Sequence, residues 1–137
     1  MRIRRAAAAT ALALAAGGAL AVAPAHADTP PLPTTTLVLT VSGPGAATPG
    51  GDSRGVTLTC SPTTSGDHPE AATACGQLAG AGGDFAALPT RQLFCPDIYL
   101  PVTATAVGLW SGTPVFFQRT YPNHCTLLRA TGRVFDF

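Results

Sequence analysis

The residue types that can perform nucleophilic catalysis occur together in one motif, GDSRG, from Gly51 to Gly55. It resembles the G-D-S-x-G sequence around the nucleophilic serine of trypsin-like proteases. Such a serine needs a general base within hydrogen-bond reach, and in those proteases the histidine and the aspartate precede the serine. The only histidine before Ser53 is His26, in a segment that we expect to be removed on export. The motif is therefore predicted to be a polar loop before a strand, and the chain is predicted not to be an enzyme.

The other candidate bases and metal ligands are two histidines and four cysteines. His68 and His124 are predicted to be solvated loop residues. An even number of cysteines in a short exported chain is typical of disulfides, here two, with three possible pairings. Zinc sites usually contain close C-x-x-C pairs, whereas the spacings here are 15, 20 and 30 residues, so no metal site is expected. No Gly-rich loop opens a helix as phosphate binding requires, so no cofactor is expected. The cysteines are Cys60, Cys75, Cys95 and Cys125.

The segment from Leu93 to Pro101 (LFCPDIYLP) places large apolar side chains in a stretch with two prolines and a cysteine. Because proline opposes regular structure, this stretch is predicted to be a surface loop. Exposed aromatic side chains on a loop indicate a binding surface, and a chain that is restricted in advance loses less entropy on binding. The alternative is that Phe94 and Tyr99 fold inward and belong to the core.

The first 27 residues have the organisation of a secretory signal peptide. Three arginines within the first five residues precede an apolar run from Ala6 to Val22, and the pattern A-x-A follows at residues 25–27. We therefore expect a signal peptide over residues 1–27, a flexible leader over 28–36 and one secreted, extracellular domain over 37–137. The alternative is an uncleaved N-terminal anchor.

The composition of the expected exported segment argues against nucleic acid and membrane partners. After residue 27 the chain contains five arginines, no lysine and seven acidic residues. Nucleic-acid binding usually requires a basic patch, and this segment is weakly acidic. It also contains no stretch that is long and apolar enough to span a membrane.

Apolar alternation bounded by glycine and proline predicts strands, whereas an alanine-rich stretch and an asparagine N-cap predict helices. The predicted strands are Leu37–Val41, Val56–Cys60, Val102–Trp110, Val115–Tyr121 and Thr131–Phe137. The predicted helices are Glu70–Ala79 and Cys125–Arg129. This order of elements predicts an α+β fold, in which a five-stranded antiparallel sheet carries two short helices on one face.

The expected exported segment resembles the Streptomyces subtilisin inhibitor family over nearly its whole length. The resemblance is carried by landmarks whose order and spacing match the family, together with the four cysteines. In the first half they are the strand sequences LVLTV and VTLTC, then His68-Pro69, Ala74-Cys75 and Gly82-Gly83-Asp84. In the second half they are Cys95-Pro96, Tyr99, Pro101-Val102, Gly108, Trp110, Asn123, Cys125, Val134-Phe135 and Phe137.

Members of this family are exported homodimers that inhibit subtilisin-like serine proteases by presenting a substrate-like loop. The resemblance implies that Cys60 pairs with Cys75 and that Cys95 pairs with Cys125. It also implies a two-fold dimer in which sheets pack back to back. The expected function is therefore inhibition of an extracellular serine protease, and the alternative is a secreted domain of this fold that binds another protein without inhibiting proteases.

The resemblance further implies that the protease attacks the bond Asp97–Ile98, so that the Asp97 side chain enters the specificity pocket (S1) of the enzyme. Other residues expected to contact the protease are Phe94, Cys95, Pro96 and Tyr99. Asp97 departs from the familiar family pattern, which has methionine, lysine or another long residue there. A carboxylate in an apolar pocket loses its hydration without gaining a partner. We therefore expect either weakened binding to subtilisin-like proteases or an acid-specific target with a basic or polar pocket.

Overall fold

The computed structural model describes residues 23, 25, 26, 29–46 and 52–137. The predicted signal peptide, residues 1–27, lies outside the described residues apart from Ala23, Ala25 and His26. All the helices and strands described below belong to one compact unit, residues 31–137. No helix among the described residues has the length and apolar character needed to cross a membrane.

A five-stranded antiparallel sheet forms the centre of the fold, as predicted. Its strands lie in the order β3-β2-β1-β4-β5. The central strand alternates strictly: Leu37, Leu39 and Val41 are buried on the inner face, whereas Val38 on the outer face is half exposed. This period of two follows from the pleat of the strand, which directs successive side chains to opposite faces. The strands are β1 (Thr35–Ser42), β2 (Ser53–Ser61), β3 (Ser65–Gly66), β4 (Val102–Trp110) and β5 (Thr113–Tyr121).

Two helices contribute buried side chains to the core on the inner side of the sheet. Helix α1 (Ala71–Gly80) buries Ala74 and Leu78, and α2 (His124–Thr131) buries Leu127 and Thr131. The two predicted helices are confirmed, each with ends shifted by one or two residues. Two short 3-10 turns, Pro44–Ala46 and Phe85–Ala87, complete the regular structure.

The C-terminal segment does not form the strand that we predicted over Thr131–Phe137. After α2 the chain turns at Gly132, whose φ is +62°, and the Arg133 amide donates to the side chain of Gln77 instead of to a strand. Val134 and Phe135 are then both fully buried, which a strand with one solvent-facing side does not allow for adjacent residues. The fifth strand of the sheet is instead the two-residue β3, in the loop after β2.

The strand boundary at the N-terminal side also differs from the sequence prediction. The first strand begins at Thr35, so the last two residues of the predicted leader take part in the sheet. Thr35 itself is buried, and its hydroxyl oxygen accepts a hydrogen bond from the Ser111 amide. The domain therefore begins slightly before Leu37.

Two disulfides join the elements: Cys60–Cys75 links β2 to α1, and Cys95–Cys125 links an irregular segment to α2. This is the pairing that the family resemblance implies. No free cysteine is found in the described part of the chain.

Candidate functional site

The segment between Leu88 and Pro101 contains neither helix nor strand and carries the most exposed large side chains of the structure. Phe94 is 101% exposed and Tyr99 is 79% exposed, so the alternative that they belong to the core is wrong. Ile98 is more than half exposed. We refer to residues 91–101 as the exposed loop.

Asp97 is the only charged residue between Gln92 and Pro101, and its side chain is exposed. No described residue forms an ion pair with its carboxylate. The exposed loop therefore presents one unpaired negative charge, with Ile98 and Tyr99 directly after it.

The disulfide Cys95–Cys125 attaches the exposed loop two residues before Asp97. Cys125 lies in the first turn of α2, and the two Cα atoms are 5.6 Å apart. Because the helix packs on the core through Leu127, this bond ties the loop to the rigid part of the domain.

Asn123 holds the loop on both sides of Asp97. Its side-chain amide donates hydrogen bonds to the Pro96 carbonyl oxygen at 3.2 Å and to the Ile98 carbonyl oxygen at 2.8 Å. The amide oxygen of the same side chain accepts from the Thr126 amide at 2.9 Å and caps α2. Since Asn123 is only 8% exposed, these bonds lie in a site that largely excludes water. One buried side chain thus connects the start of a helix to the two peptide groups that flank Asp97.

The C-terminal end of the exposed loop is held by backbone contacts. The Leu100 amide donates to the Pro122 carbonyl oxygen at 2.8 Å, and the Gly45 amide donates to the Pro101 carbonyl oxygen at 3.1 Å. A Cβ atom at Gly45 would collide with the Leu100 carbonyl oxygen and the Val102 side chain. Glycine is therefore required where the turn after β1 supports the loop.

The N-terminal end of the exposed loop is held at Arg91. Its amide donates to the Arg129 carbonyl oxygen in α2 at 2.8 Å. Its guanidinium group donates to the Asp136 carboxylate, also at 2.8 Å. With these contacts, the loop is attached to the domain before, beside and after Asp97.

The serine motif lies at the start of a strand. Ser53 is the first residue of β2 and pairs with Ser42 of β1. The last three residues of the motif therefore lie in the strand, which corrects the prediction of a loop before it. His68 is buried, which contradicts the prediction of a solvated side chain. Its Nδ1 accepts from the Glu70 amide at 3.0 Å and its Nε2 lies 3.0 Å from the Val134 carbonyl oxygen. Both ring nitrogens therefore serve the fold, and none is free to act as a base for Ser53.

His124 is partly buried at the start of α2, so it too is not a solvated loop residue. Among the described residues, no three His, Cys, Asp or Glu side chains lie close enough together to hold a metal ion.

Sequence reasoning found the exposed loop but missed the contacts by which Asn123 and Gly45 help to hold it. The sequence indicates Asn123 as a helix cap and a family landmark, and Gly45 only as part of the glycine- and proline-containing stretch that follows LVLTV. The sequence contains one weak signal for Asn123. It lies two residues before Cys125, and a disulfide from Cys125 to the loop would bring Asn123 close to the loop as well. Nothing in the local sequence of Gly45 indicates its contact with Pro101.

This arrangement suits presentation of a peptide bond to another protein. The backbone next to Asp97 is fixed from both sides, whereas the side chains of Phe94, Asp97 and Tyr99 point into solvent. A protein partner can therefore bind these side chains without first ordering the loop.

Comparisons with known proteins agree with the fold. A family described as subtilisin inhibitor-like matches residues 33–123. Subtilisin inhibitor-like protein 4 of Streptomyces lavendulae is 48% identical over 102 residues, which cover 74% of this chain and 88% of that protein. The subtilisin inhibitor of Streptomyces albogriseolus is 43% identical over 102 residues, which cover 74% of this chain and 71% of that protein.

A solved structure shows the same likeness in three dimensions. Sermetstatin of Streptomyces caespitosus, crystallised in complex with Bacillus licheniformis subtilisin, superimposes with a TM-score of 0.61 at 32% sequence identity. The match covers 76% of this chain and 99% of the sermetstatin chain. With both the sequence and the fold in agreement, this chain belongs to the subtilisin inhibitor-like family.

Proposed function

We propose that this chain is a secreted inhibitor of extracellular serine endopeptidases, and that the protease attacks the bond Asp97–Ile98. The observation that carries the proposal is an exposed loop whose backbone is held on both sides of Asp97 by Asn123 and by Cys95–Cys125. The structural relative sermetstatin was crystallised on a subtilisin, which supports a serine protease as the partner.

The mechanism follows from how the loop is held. Pro96 fixes its own φ and restricts Cys95 to extended geometry, which a protease cleft requires of a substrate. If the enzyme attacks the Asp97 carbonyl carbon, the amine of Ile98 is released in place, because Asn123 still holds the Ile98 carbonyl group. The amine therefore stays close to the acyl group, and the peptide bond re-forms. A flexible peptide of the same sequence would lose this amine and be a substrate.

The fixed conformation of the exposed loop also favours tight binding to the protease. A protease–inhibitor interface buries about 1,600 Å² in total, and its strength depends on how little ordering remains to be done on binding. Phe94 and Tyr99 offer large apolar surfaces on either side of Asp97. They are the expected anchors of the complex, since buried aromatic side chains dominate most protein interfaces.

Asp97 is proposed to select the target. Its charge has no partner within the described structure, so a protease pocket that covers it must supply one. An arginine, lysine or protonated histidine in the S1 pocket would form charge-assisted hydrogen bonds with the carboxylate. An apolar pocket would instead bury an unpaired charge. The proposed target is therefore an acid-specific serine protease, with subtilisin-like enzymes inhibited more weakly.

Inhibition constants for wild type, Asp97→Met and Asp97→Lys test this proposal against subtilisin, trypsin and a protease specific for Glu and Asp. Wild type should inhibit the acid-specific enzyme best. Asp97→Met should improve inhibition of subtilisin by about 100-fold, since it removes a desolvation penalty of about 3 kcal/mol. Asp97→Lys should favour trypsin.

The same panel separates the possible errors. An identical ranking of enzymes for all three variants would show that Asp97 does not enter the S1 pocket. Improved subtilisin inhibition by Asp97→Met, without any inhibition of the acid-specific enzyme by wild type, would retain the reactive bond and reject the basic pocket. If no variant inhibits any protease, the second candidate function applies, namely binding of another protein. The unpaired charge of Asp97 is the observation that favours this second candidate.

We also propose a homodimer formed through the outer face of the sheet. Val38, Val107 and Phe116 lie side by side across β1, β4 and β5, and Phe116 is 73% exposed. The residues of β1, β4 and β5 that share this face are all uncharged, as in the centre of most protein interfaces. They are Thr36, Val38, Thr40, Ser42, Thr103, Thr105, Val107, Leu109, Pro114, Phe116, Gln118 and Thr120.

Sedimentation of Phe116→Glu tests the dimer, with Phe94→Glu as the matched control. Phe116→Glu buries a carboxylate in the proposed interface and should yield monomers at micromolar concentration. Phe94→Glu makes the same change at an exposed residue outside this face and should leave the dimer intact. A monomeric wild-type protein would refute the homodimer.

We also propose that the protein is exported, because residues 1–27 have the pattern of a signal peptide. The two disulfides support this proposal, because such bonds persist in oxidising compartments. The extracellular protein should begin near Asp28. N-terminal sequencing that returned Met1 would contradict cleavage of the signal peptide.

A further inference from the structure

The Asp136 carboxylate connects three parts of the domain near the C-terminus. It accepts hydrogen bonds from the guanidinium groups of Arg91 at 2.8 Å and Arg133 at 2.7 Å. The Arg91 and Asp136 side chains are about a quarter exposed, at 25% and 28%, so their ion pair is partly shielded from water. Arg133 also contacts Glu70 at 3.3 Å, but both of those side chains are more than 40% exposed.

The backbone at Asp136 is firmly placed. Phe135 directly before it is fully buried and packs against Phe85 and Phe117. Phe137 directly after it packs edge to face on the buried His68. Asp136 therefore extends from a segment that the core fixes on both sides.

Arg91 is the first attachment of the exposed loop, six residues before Asp97. Between Arg91 and Cys95 the only hydrogen bond within the described backbone runs from the Leu93 amide to the Arg91 carbonyl oxygen, at 3.0 Å. Without its side-chain contact, Arg91 would be held by one backbone bond to Arg129 at the last turn of α2. Helix ends are places where hydrogen bonds open readily.

We propose that Asp136 is a positioning residue of the exposed loop, which fixes the segment before Cys95 by holding the Arg91 side chain. This proposal rests on the proposed inhibitory function, because a loop that moves before Cys95 presents Phe94 and Asp97 less well to a protease. Asp136 touches no protease and acts only through Arg91. An ion pair with a purely structural role would alter the stability of the whole domain and leave the loop unchanged.

The experiment compares Asp136→Asn, Arg91→Gln, the double variant and the control Glu70→Gln, all in the full-length exported protein. Glu70→Gln removes an ion pair from the same cluster without touching Arg91. The first measurement is hydrogen exchange of the Arg91 and Leu93 amides by NMR, with the amides of β1 as the internal reference. The second is the inhibition constant against whichever of subtilisin, trypsin and the acid-specific protease binds wild type most tightly, with the rate at which that enzyme cleaves Asp97–Ile98.

Asp136→Asn and Arg91→Gln should each speed exchange of the two loop amides by about fivefold without affecting β1, as expected for loss of a partly shielded ion pair. Both should raise the inhibition constant and the cleavage rate by about fivefold, and the double variant should match the single ones because they break the same contact. Glu70→Gln should change none of these values.

Unchanged exchange at Arg91 and Leu93 in Asp136→Asn would overturn the proposal, as would a rise in the inhibition constant no larger than that of Glu70→Gln. If wild type inhibits no protease in the panel, the proposed function fails, and the exchange measurement alone then decides whether Asp136 positions the loop.

Discussion

The two disulfides are chemically alike but lie in regions of opposite character. Cys60 and Cys75 join a central part of the sheet to α1, and both pack against the hydrophobic core. Cys95 and Cys125 lie outside that core and join the exposed loop to the first turn of α2. The first region is held together by apolar packing, to which a disulfide adds stability. The second has almost no packing, so its shape depends on the disulfide and a few hydrogen bonds.

The largest expected effect comes from removing each disulfide in turn, which should distinguish the bond that stabilises the domain from the bond that shapes the exposed loop. A closed loop of about 15 residues is worth about 3 kcal/mol, and doubling its length adds about 0.6 kcal/mol, so both removals should destabilise the domain similarly. Replacement of Cys95 and Cys125 by serine should also raise the inhibition constant by about 100-fold, because the loop becomes flexible. Replacement of Cys60 and Cys75 should leave inhibition by the folded protein within about twofold of wild type.

The measurements are denaturant unfolding and inhibition constants for both double variants. Equal losses of inhibition would show that the two regions do not differ in the way that the packing indicates.

A sharper test changes Asn123 to aspartate. Aspartate keeps the oxygen that accepts from the Thr126 amide and is also a good N-cap, so α2 and the free energy of unfolding should change little. It replaces the amide that donates to Pro96 and Ile98 with an acceptor, so two carbonyl groups lose their partner. We expect about a tenfold to 100-fold rise in the inhibition constant and faster cleavage of Asp97–Ile98.

Thr126→Val is the control for that variant, because it removes the hydroxyl of the capping box but leaves the bonds to the loop in place. It should lower stability by about 1 kcal/mol and leave inhibition unchanged. The opposite pattern, with Thr126→Val affecting inhibition more than Asn123→Asp, would mean that the loop depends on the helix cap and not on the amide.

Two glycines, Gly45 beside the exposed loop and Gly76 in α1, allow the two regions to be compared by adding a single methyl group to each. Gly45→Ala places a methyl group against the Leu100 carbonyl oxygen and Val102, so the end of the loop must move and the inhibition constant should rise by about tenfold. Gly76→Ala adds a methyl group to α1 where nothing lies within 4 Å, and it should stabilise the domain by up to about 1 kcal/mol. Inhibition assays and thermal unfolding of both variants test this, and a neutral Gly45→Ala would show that the turn does not support the loop.

The smallest expected effect is a pH dependence of stability at an exposed contact on β2, away from the exposed loop. The Asp67 carboxylate accepts from the hydroxyl group and from the amide of Thr57, and these bonds lower the pKa of Asp67 below its usual value. A pKa that is lower in the folded than in the unfolded protein adds stability above the unfolded value, about 4, and this stability is lost as the pH falls through the folded value. Asp67→Asn should therefore flatten the acid side of the stability profile.

Asp97→Asn is the matched control for that experiment, since no described residue hydrogen-bonds the Asp97 carboxylate. Unfolding followed by circular dichroism between about pH 2 and pH 7 should show a flatter curve for Asp67→Asn only. If the curves of both variants flatten equally, the bonds between Asp67 and Thr57 are not the source of the acid sensitivity.

The packed region was largely predictable because its signals are local. Alternation of apolar residues predicted β1, β2, β4 and β5, and the asparagine cap predicted the start of α2. The strand predicted over Thr131–Phe137 was wrong because Val134 and Phe135 are residue types that favour strands. Their actual conformation depends on the Gln77 side chain, which lies 56 residues from Arg133 along the chain and holds its amide.

The exposed loop was predictable in composition but not in how it is held. Two prolines, a cysteine and unmatched aromatic residues indicated a binding segment. The contacts of Asn123 with Pro96 and Ile98 span 27 and 25 residues, and the contact of Gly45 with Pro101 spans more than 50. No local pattern encodes such pairs, because they exist only once the sheet has brought α2 and the turn after β1 beside the loop.

The disulfide Cys95–Cys125 also determines how the protein would behave in electrophoresis after a protease has cleaved it. Cleavage of Asp97–Ile98 would leave Cys95 on one fragment and Cys125 on the other, so the fragments would remain joined. The cut protein would run as a single band on a non-reducing gel and differ from the intact one in mass only by one water. Reduction would release two peptides, so samples must be compared with and without a reducing agent before a preparation is described as intact.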